Sequence, residues 1–144
     1  MICLNASPVS LLSALKHPMC KGNNSSKVFS KIVKELEHRC LRGIRPEPGF
    51  LGIMSSLRAT SEQDKRLLKW LGDVNIASRQ FSSLISRHNV SLRDLLAAHL
   101  DFVAWLCHDG TEEISKNTKP WLEKDNKAAY QHLVSLTSCL DNSL

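Results

Sequence analysis

The chain has 144 residues, of which 42% are hydrophobic, and a net charge of +5; this fits one domain large enough to bury a core of its own. It holds no run of about 18 apolar residues, the length a membrane span needs, and its "MICLNASPVSLL" start lacks the basic n-region and cleavage site of a secretory signal, so a soluble, cytoplasmic protein is expected. Five cysteines, Cys3, Cys20, Cys40, Cys107 and Cys139, form no C-x-x-C pair and are odd in number, which argues for reduced thiols rather than a disulfide framework or a zinc site.

The first element in chain order is a short helix in "ASPVSLLSALKHP". Ser7 is its expected cap, Pro8 its first residue, and Pro18 stops the pattern after Lys16. A second helix begins near Ser25 or Ser26, with Val28, Phe29, Ile32, Val33, Leu36 and Cys40 on its apolar side. At about 100° per residue, Lys27, Lys31, Lys34, His38 and Arg42 fall on the opposite side as one stripe. Gly43 and "RPEPG" are the expected stop, because glycine adopts the left-handed conformation and proline cannot continue the hydrogen-bond ladder.

Phe50, Leu51, Ile53, Met54 and Leu57 predict a brief helix beyond this corner. From Ser61 to about Arg87, Leu67, Leu71, Val74, Phe81 and Ile85, with Ser78 between, hold a spacing of three and four; Gly72 weakens the middle. That predicts one long helix or two joined near Gly72 to Asn75. Ser91 opens the next helix, with Asp94 in a capping-box position, and Leu92, Leu95, Leu96, His99, Phe102, Val103 and Leu106 form its expected inner face. After the polar "HDGTEEISKNTKP", a last helix is expected from about Glu123 to Leu140, with Ala129, Leu133, Leu136 and Leu140 as its stripe. No strand pattern of comparable length competes, so the fold class is all-α: an irregular bundle of five or six helices in a single domain, residues 1–144.

The charge is unevenly placed. Residues 1–60 carry nine Lys/Arg against three Asp/Glu, and residues 61–144 carry ten against eleven, so the basic excess lies wholly in the first part. Such a patch attracts nucleic acid or an acidic partner, or is simply a solvated face. Catalytic candidates are few. His99 stands among apolar positions as a general base or a hydrogen-bonded core residue. Cys107 and His108 are adjacent, so their side chains diverge and form no nucleophile–base pair by themselves. The sequence has no GxxxxGK[ST] loop, and its carboxylates are scattered. No catalytic residue, metal ligand or cofactor is assigned.

Several stretches occur together in a telling order: "LKHP" at 15–18, "ELEHRCLRGIRPEPGFLGIMSSL" at 35–57, "VSLRDLLAAHL" at 90–100 and "PWLEKDNKAAYQHLVSL" at 120–136. They resemble a segment of alphaproteobacterial AddB, the nuclease-bearing subunit of the AddAB helicase–nuclease that processes double-strand DNA breaks. Leu41-Arg42-Gly43, Arg45-Pro46, Pro48-Gly49 and Gly52 carry the resemblance most specifically, supported by Leu15, His17, Pro18 and His99. The chain departs from the family after Trp121, where Asp125 and Asn126 replace a small glycine-containing turn.

The resemblance implies a piece of the helical, helicase-like part of the parent, without its nuclease residues or its iron–sulfur cysteines. Its expected partners are DNA and an AddA-like helicase subunit or the remaining AddB segments. A basic stripe feeding an Arg-containing corner suits phosphate contact, which needs charge and position rather than base readout. Lys27, Lys31, Lys34, Arg42 and Arg45 are the candidate contacts; equally, the two arginines could serve the corner itself by pairing with carboxylates and capping carbonyls. A free-standing helical adaptor for an acidic protein partner is the alternative function.

Overall fold

The computed structural model describes residues 7–41, 46–57, 61–110, 131–132 and 135–136. It is all-helical among these residues, with five helices: α1 (Pro8–Leu15), α2 (Ser26–Leu41), α3 (Gly49–Ser56), α4 (Glu62–Ile85) and α5 (Leu92–Cys107). The short described stretches at 131–132 and 135–136 are also helical. Other parts of the expected last helix, and Gly43 at the corner, lie outside the described residues.

Local chemistry explains most boundaries. Ser7 caps α1 by accepting from Ser10 N at 3.2 Å, and Pro8 fills the first turn, where a missing N–H costs nothing. α4 starts with a full capping box: Ser61 Oγ accepts from Asp64 N at 3.1 Å, and Asp64 Oδ2 accepts from Ser61 N at 2.9 Å. The box expected at Ser91 does not form. Ser91 occupies the N-cap of α5, yet its side chain makes no capping hydrogen bond. Its backbone (φ −61°, ψ 129°) is less extended than that of Ser61 (φ −129°, ψ 162°), whose hydroxyl does reach the third helical N–H.

α4 is one unbroken helix of 24 residues. Gly72 does not divide it, because the continuous row Leu67, Trp70, Leu71, Val74 and Ser78 is buried on both sides of it, and packing outweighs a single weak propensity. α4 and α5 form a helical hairpin through the short connection at 86–91, with the ring centroids of Phe81 and His99 5.0 Å apart. α2 runs antiparallel to α4: Phe29 meets Trp70 near one end, and Arg39 pairs with Asp64 near the other.

One apolar core joins all five helices. It takes Leu11, Leu12 and Leu15 from α1, Phe29, Val33 and Leu36 from α2, and Phe50 and Ile53 from α3. Leu67, Trp70, Leu71 and Val74 of α4 and Phe102 and Leu106 of α5 complete it. The core sits against one end of the α4–α5 hairpin, since none of residues 79–97 is buried. That placement corrects the expected face of α5: Leu92 is 61% exposed and His99 is exposed, while Ala98, Phe102, Leu106 and Cys107 are buried. Val28, expected inside, is likewise exposed.

The loop between α1 and α2 is clamped to the end of α5. Lys21 N and Gly22 N both donate to Leu106 O, at 2.8 and 2.7 Å. Gly22 in turn accepts Trp70 Nε1–H at 3.0 Å, and His108 Nδ1 lies 2.8 Å from Asn23 Oδ1. Gly22 has φ +57°, and a Cβ there would stand 2.5 Å from the Phe29 ring, so both the turn and the close approach require glycine.

Candidate nucleic-acid interface

The residues proposed from the sequence divide into two groups. Lys27, Lys31 and Lys34 are exposed along the outer ridge of α2, as the periodicity predicts, because Phe29, Val33 and Leu36 hold the opposite side in the core. Arg42 and Arg45 lie outside the described residues. Among the described residues, no carboxylate forms an ion pair with any of the three lysines. The nearby carboxylates are committed elsewhere: Glu37 pairs with Lys16 at 2.7 Å, and Glu35 with Arg39 at 3.2 Å.

Arg39 marks the structural use of an arginine on this helix. Besides Glu35, its guanidinium pairs with Asp64, whose side chain is 1% exposed and which also accepts from both the backbone N–H and the hydroxyl of Ser61. The Arg39–Asp64 pair thus ties the far end of α2 to the start of α4. Neutralising a buried carboxylate in this way offsets its desolvation, and the pair fixes which faces of the two helices meet.

Between its fixed ends the α2–α4 pair leaves a cleft of about 630 Å³. Val28 and Ile32 of α2, Leu67 and Trp70 of α4, and Trp105 of α5 make its apolar surface. Lys31 stands on the α2 side, and Arg66 and Lys69 on the α4 side. Glu35 and Asp73 also line it. Lys34 belongs to a separate groove of about 400 Å³ beside α1, together with Lys16, His17 and Glu37. The lysine stripe is therefore a ridge between two depressions, with Lys31 leaning to one and Lys34 to the other.

Sequence periodicity misses Arg66 and Lys69. They flank the buried positions Leu67 and Trp70 on α4, and only the packing of α4 on α2 brings them opposite Lys31. Two adjacent cations beside an apolar stripe are the available signal, and it is shared by most amphipathic helices.

Burial pushes the Cys107 thiol up to about 11, with the neighbouring Cys20 adding to the shift and Lys21 opposing it. Burial also raises Cys20, whose thiol donates to Ala14 O at 3.4 Å. Both are thus protonated near neutrality, when nucleophilic attack needs the thiolate. His108 points away to Asn23, and Gly110 N–H donates to its Nδ1 at 3.0 Å. His99 rests against Phe81, and partial burial lowers its pKa. Among the described residues no three His, Cys, Asp or Glu side chains are grouped to hold a metal ion, and no helix is long and apolar enough to cross a membrane. No family model, curated protein or solved structure matches this chain.

Proposed function

We propose that the chain is a non-catalytic helical piece of an AddB-like double-strand break repair subunit, and that it contributes contacts to the phosphate backbone of DNA. The observation that carries this reading is the ridge of α2: three exposed lysines one helical turn apart, with no carboxylate paired to them among the described residues. Free cations on a rigid helix neutralise phosphates without the cost of first breaking an ion pair, and the counterions they displace supply the affinity. Arg66 and Lys69 extend the positive surface onto α4. The order of the stretches at 15–18, 35–57, 90–100 and 120–136 supports the parentage.

Titrating labelled duplex and single-stranded DNA at several salt concentrations tests the reading. Binding is expected to be weak, indifferent to sequence and steeply salt-dependent. Replacing Lys27, Lys31 and Lys34 by glutamine should reduce the duplex salt slope by about 0.9 for each phosphate that is no longer neutralised, while the helical circular dichroism persists. The purified chain is also expected neither to hydrolyse ATP nor to degrade linear DNA. A triple variant that binds as the parent does would make the ridge a solvated face and overturn the proposal.

A further inference from the structure

The cleft between α2 and α4 has a construction that the lysine ridge does not share. Its two ends are pinned, one by the Arg39–Asp64 pair and the other by the Trp70 indole N–H on Gly22 O, so it is formed before anything enters. Its surface is mixed: Val28, Ile32 and Trp105, accessible to differing degrees, supply an apolar and partly aromatic part, and charged side chains of α2 and α4 supply much of the rest. The balance of those charges is positive. Lys31, Arg66 and Lys69 have no ion-pair partner among the described residues, and they face two carboxylates, Asp73 and Glu35, the latter sharing Arg39 with Asp64.

We propose that this cleft docks an acidic peptide segment of a partner protein, which inserts one aromatic or branched apolar side chain between the helices and sets its carboxylates against Lys31, Arg66 and Lys69. Charge complementarity selects the sign of the partner, and the apolar floor selects a peptide. A cleft of this volume that places Val28, Ile32 and Trp105 among a few convergent charges has room for one apolar side chain and its charged flanks. An apolar anchor gains by leaving water, whereas duplex DNA offers the cleft phosphates and no apolar group that reaches its floor. The pinned walls spare the partner the cost of ordering the site. This inference shares Lys31, Arg66 and Lys69 with the phosphate reading and is distinguished from it by the apolar Val28 and Trp105, which phosphate contact does not need, and by Lys27 and Lys34, which lie outside the cleft.

The test is a selection from a displayed random-peptide library against the full chain, followed by anisotropy titration of the selected peptide made synthetically. Enriched peptides should carry one aromatic or branched apolar residue flanked by Asp or Glu, and changing that residue to alanine should weaken binding at least tenfold. On the protein, Val28→Glu and the double change Arg66→Glu, Lys69→Glu should each weaken it at least tenfold. All three positions are exposed, so the fold is preserved and circular dichroism verifies it. Lys27→Gln with Lys34→Gln should leave peptide binding unchanged while lowering DNA binding, which separates failure of this proposal from failure of the other. The proposal is overturned if no acidic, anchored peptide is enriched, if binding survives the Val28 and Arg66/Lys69 changes, or if a short single-stranded oligonucleotide displaces the peptide and loses its own binding in Val28→Glu.

Discussion

Asp64 concentrates more of the architecture than any other polar residue described. It closes the capping box of α4, accepts the Ser61 hydroxyl at 2.8 Å and pairs with Arg39 of α2, all from a buried position. Asp64→Ala removes a cap worth about 1 kcal/mol and leaves Arg39 without its buried partner. Because Arg39 remains partly solvated and keeps Glu35, the full penalty of a broken buried pair does not apply, and a total destabilisation of about 2–3 kcal/mol is expected. Asp64→Asn, which retains an acceptor for Ser61, should cost less. Urea unfolding of the two variants measures both. The box was legible as Ser61-x-x-Asp64, but the same spacing at Ser91 and Asp94 was equally legible and does not form one; backbone angles at the cap decide, and spacing does not reveal them. At His99 the prediction concerns pH. Partial burial holds its folded pKa below the ordinary 6.5, so the folded state takes up its proton later than the unfolded chain does. Its contribution to stability is present in full above about pH 6.5, shrinks as the pH falls toward the folded pKa, and changes no further below it. Its imidazole resonances should titrate below 6.5, and His99→Asn should flatten the acid side of the stability profile. A titration midpoint at or above 6.5 would contradict this.

Two helical glycines have opposite meanings. Gly72 lies mid-helix in α4, and a Cβ built there meets nothing within 4 Å. Gly72→Ala should therefore stabilise the chain by about 0.5–1 kcal/mol, by lowering the entropy of the unfolded state at no steric cost. Gly52 in α3 is enclosed: a Cβ there would collide with the carbonyl oxygen of Glu47, so the backbone must move, and Gly52→Ala should cost about 1–3 kcal/mol, as overpacking does. Thermal melts of the two variants should shift in opposite directions. The described approach to α3, residues 46–48, thus lies close against the helix, with Pro46 buried, and this part of the stretch serves packing. The existence of α1 to α5 was legible because apolar spacing survives any tertiary arrangement. The face of α5 was not. Leu92, Leu95 and Leu96 continue the stripe of Phe102 and Leu106, but only the latter two reach the core, and a sequence pattern does not say where the neighbouring helices stop.

The five helices share one core, while the far end of the α4–α5 hairpin carries Ile85 and Leu92 in the open. The ridge of α2 was readable because it follows from one helix alone. The cleft was not, because Arg66 and Lys69 acquire meaning only once α4 has been turned toward α2 by Asp64 and Trp70. The clamp of the α1–α2 loop on α5 governs how its amides exchange with solvent. A loop amide ordinarily opens by local fluctuation and trades its proton for deuterium quickly. The amides of Lys21 and Gly22 are held by Leu106 O at the end of α5, and the adjoining contact joins residues 85 apart in the chain. Their protons can leave only when that end of α5 lets go, so a deuterium pulse should find them protected to the same degree as the amides around Leu71 and Val74, not to that of the connection at 86–91. Should the two loop amides exchange as fast as Arg87 and His88, the loop moves by itself. Should they exchange slowly, Gly22, Asn23 and Asn24 at the mouth of the cleft open together with α5 as a single cooperative unit.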